Sequence, residues 1–380
     1  MKKWALLLPI LLLAACQALA TPVPQPTATP TATFTPLPPT ATVIPTITPT
    51  PPLNSPSGPP LRAIQMYSIK DGWGLIDNAL LVTHDGGASW ASVPLPGGEV
   101  NPKTTFNFVS VNELHLVVPD EGQSTGKLYY TADGGQNWQV NPVPYGVGQI
   151  ERYGYYLETQ AADAEGMEIA LYQTVDWIGW TKIFPLSDDA RLPHAGQKTG
   201  IAFLNGERGW LGLAEQQNGV GLYRTLDSGR TWLPQSIPLP ENLAALNTTV
   251  LPPFFFLENA LDGFLPVDFI ARDTGDRTRV YYVTSDGGET WTPGEAVPEG
   301  GAYTFINPQT GWAWGKRGLY ATTDGKTWLL LPVAFNRSEH ATWINFLDAK
   351  NGWLVTVGPQ SRVHLYRSTD GGYSWSATIP

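Results

Sequence analysis

Leu365-Tyr366-Arg367-Ser368-Thr369-Asp370-Gly371-Gly372-Tyr373-Ser374-Trp375 recurs, in variant form, seven times along the chain. The copies centre on Asp85, Asp133, Asp176, Asp227, Asp286, Asp324 and Asp370, and they close on Trp90, Trp138, Trp180, Trp232, Trp291, Trp328 and Trp375. Two are a residue shorter: Thr322 to Trp328, and Thr174 to Trp180, which keeps only its Thr, Asp, Gly and Trp. An apolar or β-branched run precedes the motif, so it closes a hairpin. An Asp there accepts hydrogen bonds from N–H groups a few residues on, while Gly takes the positive φ of a tight turn. The Trp offers a broad apolar face for the joint between neighbouring sheets. Seven equivalent sites do not make one active centre, so the aspartates are expected to be turn staples rather than acids or metal ligands.

The pattern resembles the Asp-box (BNR) repeat, Ser/Thr-x-Asp-Gly-Gly-x-Thr-Trp, of sialidases, sortilin ectodomains and a family of photosystem II assembly factors. The resemblance covers about residues 61 to 380. It implies a β-propeller whose boxes join the third and outermost strands of each blade, on the face away from the ligand site. Spacings between box aspartates of 48, 43, 51, 59, 38 and 46 residues suit one four-stranded blade per repeat. The expected fold is all-β, a seven-bladed β-propeller of four-stranded antiparallel blades. Gly-Trp pairs at Gly72-Trp73, Gly209-Trp210, Gly311-Trp312 and Gly352-Trp353 should open second strands. First strands are expected at 63–69, 105–109, 200–203, 253–257, 303–306 and 342–347. Blade three carries no Gly-Trp, and 240–252 reads as a long connection between blades four and five. Blade seven should pack on blade one without a shared strand.

The N-terminus has another character. A basic start, Met1-Lys2-Lys3, leads into an apolar run that ends Leu13-Ala14-Ala15-Cys16. That is the shape of an export signal, too short for a mature spanning helix, and it resembles the bacterial lipobox, which implies acylation of Cys16. Residues 1–16 are thus read as a lipoprotein signal. Cys16 is the only cysteine, so no internal disulfide can form. Residues 17–60 read as a linker, since 21–60 holds 14 Pro and 11 Thr with no charged side chain between Lys3 and Arg62. At about 3.1 Å per residue, such an arm reaches on the order of 100 Å. Export and acylation together predict an extracytoplasmic, membrane-anchored lipoprotein.

No catalytic constellation is legible. The five histidines have no metal-ligand spacing, and no Gly-rich phosphate loop precedes a helix. Arg191-Leu192-Pro193 is similar to a sialidase signature but lies between the third and fourth boxes instead of before the first. Neither metal nor cofactor is expected. Without Lys2 and Lys3 the chain keeps 21 basic against 33 acidic residues, which argues against nucleic acid and anionic bilayers. Among Asp-box families the resemblance is nearest to the photosystem II assembly and stability factors. It implies a non-catalytic platform for binding a protein or peptide partner or for membrane-complex assembly; a monomer is expected, touching the membrane through its lipid anchor only, and the alternative is a sialidase-like glycoside hydrolase. Charges in the loops between second and third strands separate by blade. Asp120, Glu121, Asp163, Glu165, Glu168 and Glu215 fall in blades two to four. Arg272, Arg277, Arg279, Lys316, Arg317 and Arg362 fall in blades five to seven and are the expected docking surface for an acidic segment.

Overall fold

The computed structural model describes residues 60–378, apart from 145–147, 152, 160–166, 186–191, 193–195, 218, 257–259, 334 and 336–337. Cys16, Asp163 and Glu165 lie outside these residues. The chain divides into two units at Thr46–Ile47, and the described residues all belong to the second.

Seven antiparallel sheets follow one another along the chain, covering 63–93, 105–143, 148–184, 198–234, 247–298, 303–330 and 340–377. Each is a meander of four strands in sequence order, so each repeat is one blade of a seven-bladed β-propeller. Two short 3-10 turns, Glu241–Leu243 and Pro359–Ser361, are the only helical elements among the described residues. The strands are short because a blade is crossed in about five residues. Their inner ones are buried on both faces by the neighbouring blades, and so read as continuous apolar runs such as Leu114–Pro119. Blade seven takes its strands from His340–Phe346 to Ser376–Ala377 and blade one from Ala63–Met66 to Ala91–Val93, with none shared. The Asn345 side chain closes the ring by accepting the Met66 N–H at 2.8 Å.

The four Gly-Trp pairs do open second strands. Blade five departs from expectation. Its inner strand is not 253–257 but two pieces, Asn247–Val250 and Phe254–Phe255, laid end to end on the eight-residue second strand Gly263–Ile270. Pro252 and Pro253 have no N–H to give the ladder and break it there. The supposed connection 240–252 therefore holds a strand. In blade three the stretch around Tyr155 is the second strand, Tyr155–Thr159, and the first is Gly148–Glu151.

Candidate functional site

In the box of blade one, the Thr83 hydroxyl donates to Asp85 Oδ1 at 2.9 Å and receives the Gly87 N–H at 2.9 Å. Ser89 gives Oδ1 its N–H at 2.9 Å and Oδ2 its hydroxyl. Asp133 with Asn137, Asp227 with Thr231, Asp286 with Thr290 and Asp370 with Ser374 repeat the circuit. In the shorter boxes Asp176 and Asp324 take N–H groups two and three residues on. The Ser89 hydroxyl and N–H hold the Asp85 carboxyl down at about 2. Each carboxylate is spent inside its own turn. The turn also ties to the one between first and second strands, as in Gly86 N–H to Lys70 O at 2.8 Å and Gly371 N–H to Lys350 O at 2.9 Å. These two sets of turns thus share one face of the propeller.

The box also locks blade to blade. One residue past the partner of the box Ser or Thr, the second strand carries Trp73, His115, Tyr155, Trp210, Phe264, Trp312 or Trp353. All seven are buried. The indole of Trp312 donates to Gly371 O at 2.9 Å in the next blade's box, and Trp353 donates to Gly86 O at 2.8 Å, closing blade seven on blade one. A Cβ on Gly288 would stand 2.3 Å from the Trp210 ring, so only glycine fits. On the other side these rings stack on the next blade's inner strand: Tyr155 on Phe203, Phe264 on Phe305 and Trp312 on Phe346, at 3.7, 3.7 and 3.6 Å. Tyr155, Phe264 and His115 went unread in the sequence. A Gly-aromatic pattern, rather than Gly-Trp, finds the first two at Gly154-Tyr155 and Gly263-Phe264.

A channel of ≈ 850 Å³ runs between the inner strands of blades one to six. Its walls reach from mid-strand residues such as Gln65 and Asn107 to Tyr67, Val109, Asp262 and Ile306–Pro308 in the turns beside the boxes, so it reaches the box face. The lining is aromatic and proline-rich, with Phe106, Phe108, Phe254, Phe256, Pro252 and Pro253. Phe254 is 43% exposed. Burial raises the pKa of the Tyr67 phenol there. Gln149 exchanges two hydrogen bonds of 2.9 Å with the Ile201 backbone and so covers the edge of blade four's inner strand. Glu151 and Asp262 supply carboxylates, and no described lining residue is Lys or Arg.

The six basic residues do not form one free surface. Arg279 is buried; its Nε and Nη2 donate to Asp268 Oδ1 and Oδ2 at 2.7 and 2.9 Å, and its Nη1 to Gly301 O at 2.7 Å. It pins blade five's hairpin and is removed from the docking set, because all its donors face inward. Arg272 is held by Asn247 and the Gln217 carbonyl, Arg277 stands 3.7 Å from Asp268, and Lys316 lies 3.8 and 3.7 Å from Asp276 and Glu299. Arg317 and Arg362 are exposed. Among the described residues, no three His, Cys, Asp or Glu side chains could hold a metal ion.

Neither a family model nor a curated protein matches the chain. Solved structures do. The Cps50 (Swd1) β-propeller domain from Myceliophteria thermophila is 9% identical, covering 83% of this chain and 98% of that one, with a TM-score of 0.53. A structure described as YCF48 bound to D1 peptide is 18% identical over 83% of this chain and 95% of that one, at 0.49. The GH74 xyloglucanase from Xanthomonas campestris is 10% identical over 83% and 79%, at 0.31. The likeness is one of fold.

Proposed function

We propose that this chain is a non-catalytic binding propeller, tethered outside the cytoplasm through acylated Cys16, that holds a peptide segment of a protein partner in its channel. The observation that carries the reading is Phe254, a large apolar side chain left 43% exposed in a concavity whose wall is rich in aromatic rings and prolines and carries a few amides and two carboxylates. Apolar concavities with a few fixed amides are where ligands bury most surface. Gln65 and Asn107 supply amides that can meet a peptide backbone, while the rings take its side chains. The experiment is peptide capture by the intact protein. Phe254→Asp should abolish it at an unchanged Tm, whereas capture that survives the substitution would remove the channel from the function.

A glycoside hydrolase is the second reading, favoured by Glu151 and Asp262 sharing the channel. Two carboxylates flanking a glycosidic bond are the minimum such chemistry needs. A sialidase would further require arginines for its substrate's carboxylate, and no described lining residue supplies one. Hydrolysis of a polysaccharide panel, lost in both Glu151→Gln and Asp262→Asn, would replace the binding reading with this one.

A further inference from the structure

Exposed apolar side chains are unevenly placed on this molecule. Among the described residues twelve large hydrophobics are exposed, and eight of them sit on the turns of the box face. Three others lie on outer strands and one is Phe254 in the channel, so that among the described residues none lies on the opposite face. Five of the eight fall on consecutive blades two to four: Val111, Tyr153, Val175, Ile178 and Leu226. Val175 is 95% exposed and Ile178 57%, and both belong to the aberrant third box. Between them Trp177 holds φ at 61°, a left-handed conformation that disfavours a side chain. Every box has positive φ at this position; here the turn also presents two aliphatic side chains to solvent, beside a channel that reaches the same face. Exposed apolar side chains gathered on the turns of three consecutive blades mark a contact surface.

Charge decides what can cover it. In the described box turns and the first-to-second-strand turns beside them, thirteen side chains are acidic and five basic; seven of the acidic ones are the box aspartates, whose oxygens are bonded to neutral donors in their own turns and which therefore keep their charge. Glu289 is held by two arginines, Arg208 and Arg224, and Asp71 lies 2.9 Å from His84. A second copy of this chain, net -10, would bring the same sign to the contact. We infer that the box face docks a basic segment of the partner bearing apolar side chains, which cover the sector over blades two to four while lysines or arginines meet the acidic turns. The inference builds on the channel reading by naming the chemistry of the segment, and it places docking on the face opposite Arg317 and Arg362.

Random 12-residue peptide display on the intact protein tests both, followed by salt titration of a synthetic hit. Enriched peptides should be net positive and carry aliphatic or aromatic residues. Their binding should fall at least tenfold between 50 and 500 mM NaCl, by roughly the loss expected when a few counter-charges are screened. Val175→Ser with Ile178→Ser should weaken the hit about fivefold or more. Both positions are exposed, so the fold should be untouched, and an unchanged Tm checks this. Neutral or acidic hits, hits indifferent to the double substitution, or a dimer by sedimentation that the double substitution dissolves would each overturn the inference. Of these, hits still lost in Phe254→Asp leave the channel reading standing. Hits that depend on Val175 and Ile178 but not on Phe254 would support the docking face and remove the channel. No enrichment at all overturns both.

Discussion

The indole of Trp177 stacks on the imidazole of His115 with ring centroids 4.1 Å apart. Each belongs to a position filled differently elsewhere. Trp177 follows the box Asp, where five boxes have a glycine and one Ser228, all at positive φ, and His115 stands where the other blades have Trp, Tyr or Phe. At the joint of blades two and three the large and small partners have exchanged sides.

That exchange predicts coupling. His115→Trp should overpack the joint and cost about 1–3 kcal/mol, while Trp177→Gly should empty it and cost about 1–3 kcal/mol, the ring being only half-buried. The double variant restores the arrangement of the other joints. Urea denaturation should find it more stable than the sum of the singles by at least about 1 kcal/mol; simple additivity would refute the exchange.

His115 also sets a pH dependence. Burial lowers its pKa to about 4, and neither ring nitrogen has a hydrogen-bond partner, although Nε2 lies 3.8 Å from Glu113. The unfolded histidine binds its proton near pH 6.5 and the folded one does not, so stability is full above pH 6.5 and falls as the pH drops towards 4. The loss attributable to this group is on the order of 3 kcal/mol. His115→Phe should flatten that part of the profile, and equal slopes in both proteins between pH 7 and 4.5 would contradict the assignment.

Asp85→Ala should lower stability by about 1–3 kcal/mol through the turn donors it orphans. Because its folded pKa is depressed, its contribution is present above pH 4 and fades as the pH falls to about 2. An unchanged melting temperature in Asp85→Ala would show that this carboxylate does not hold the turn.

Arg279 and Arg317 should behave oppositely although both are arginines beyond the second strands. Arg279→Ala leaves Asp268 buried with only Arg277 nearby and should cost about 3–5 kcal/mol. Arg317→Glu, on an exposed turn, should leave the Tm within about a degree. A silent Arg279→Ala in thermal denaturation would show that the pair is not structural.

Cys16→Ala should shift the protein from the membrane to the soluble fraction of fractionated cells. Continued membrane association after the substitution would remove the lipid anchor from the proposed function.

The blade count, the sheet order and the opening of four second strands were legible in the sequence, because a box turn is local. Its Ser or Thr, Asp and Gly satisfy one another within about six residues, so the motif means the same thing wherever it occurs. The joints between blades were only partly legible. Trp73 and Trp353 repeat a visible pair, but Tyr155, Phe264 and His115 fill the same position with other rings, and their equivalence follows from pairing across strands. Tertiary structure alone decided the rest. Arg279 and Arg317 read alike in the chain until Asp268, one strand away, buries the first. Channel, rim and the exposed tip at Val175 and Ile178 bring together residues from up to six blades, and no local window of sequence contains the surface that forms when a ring closes.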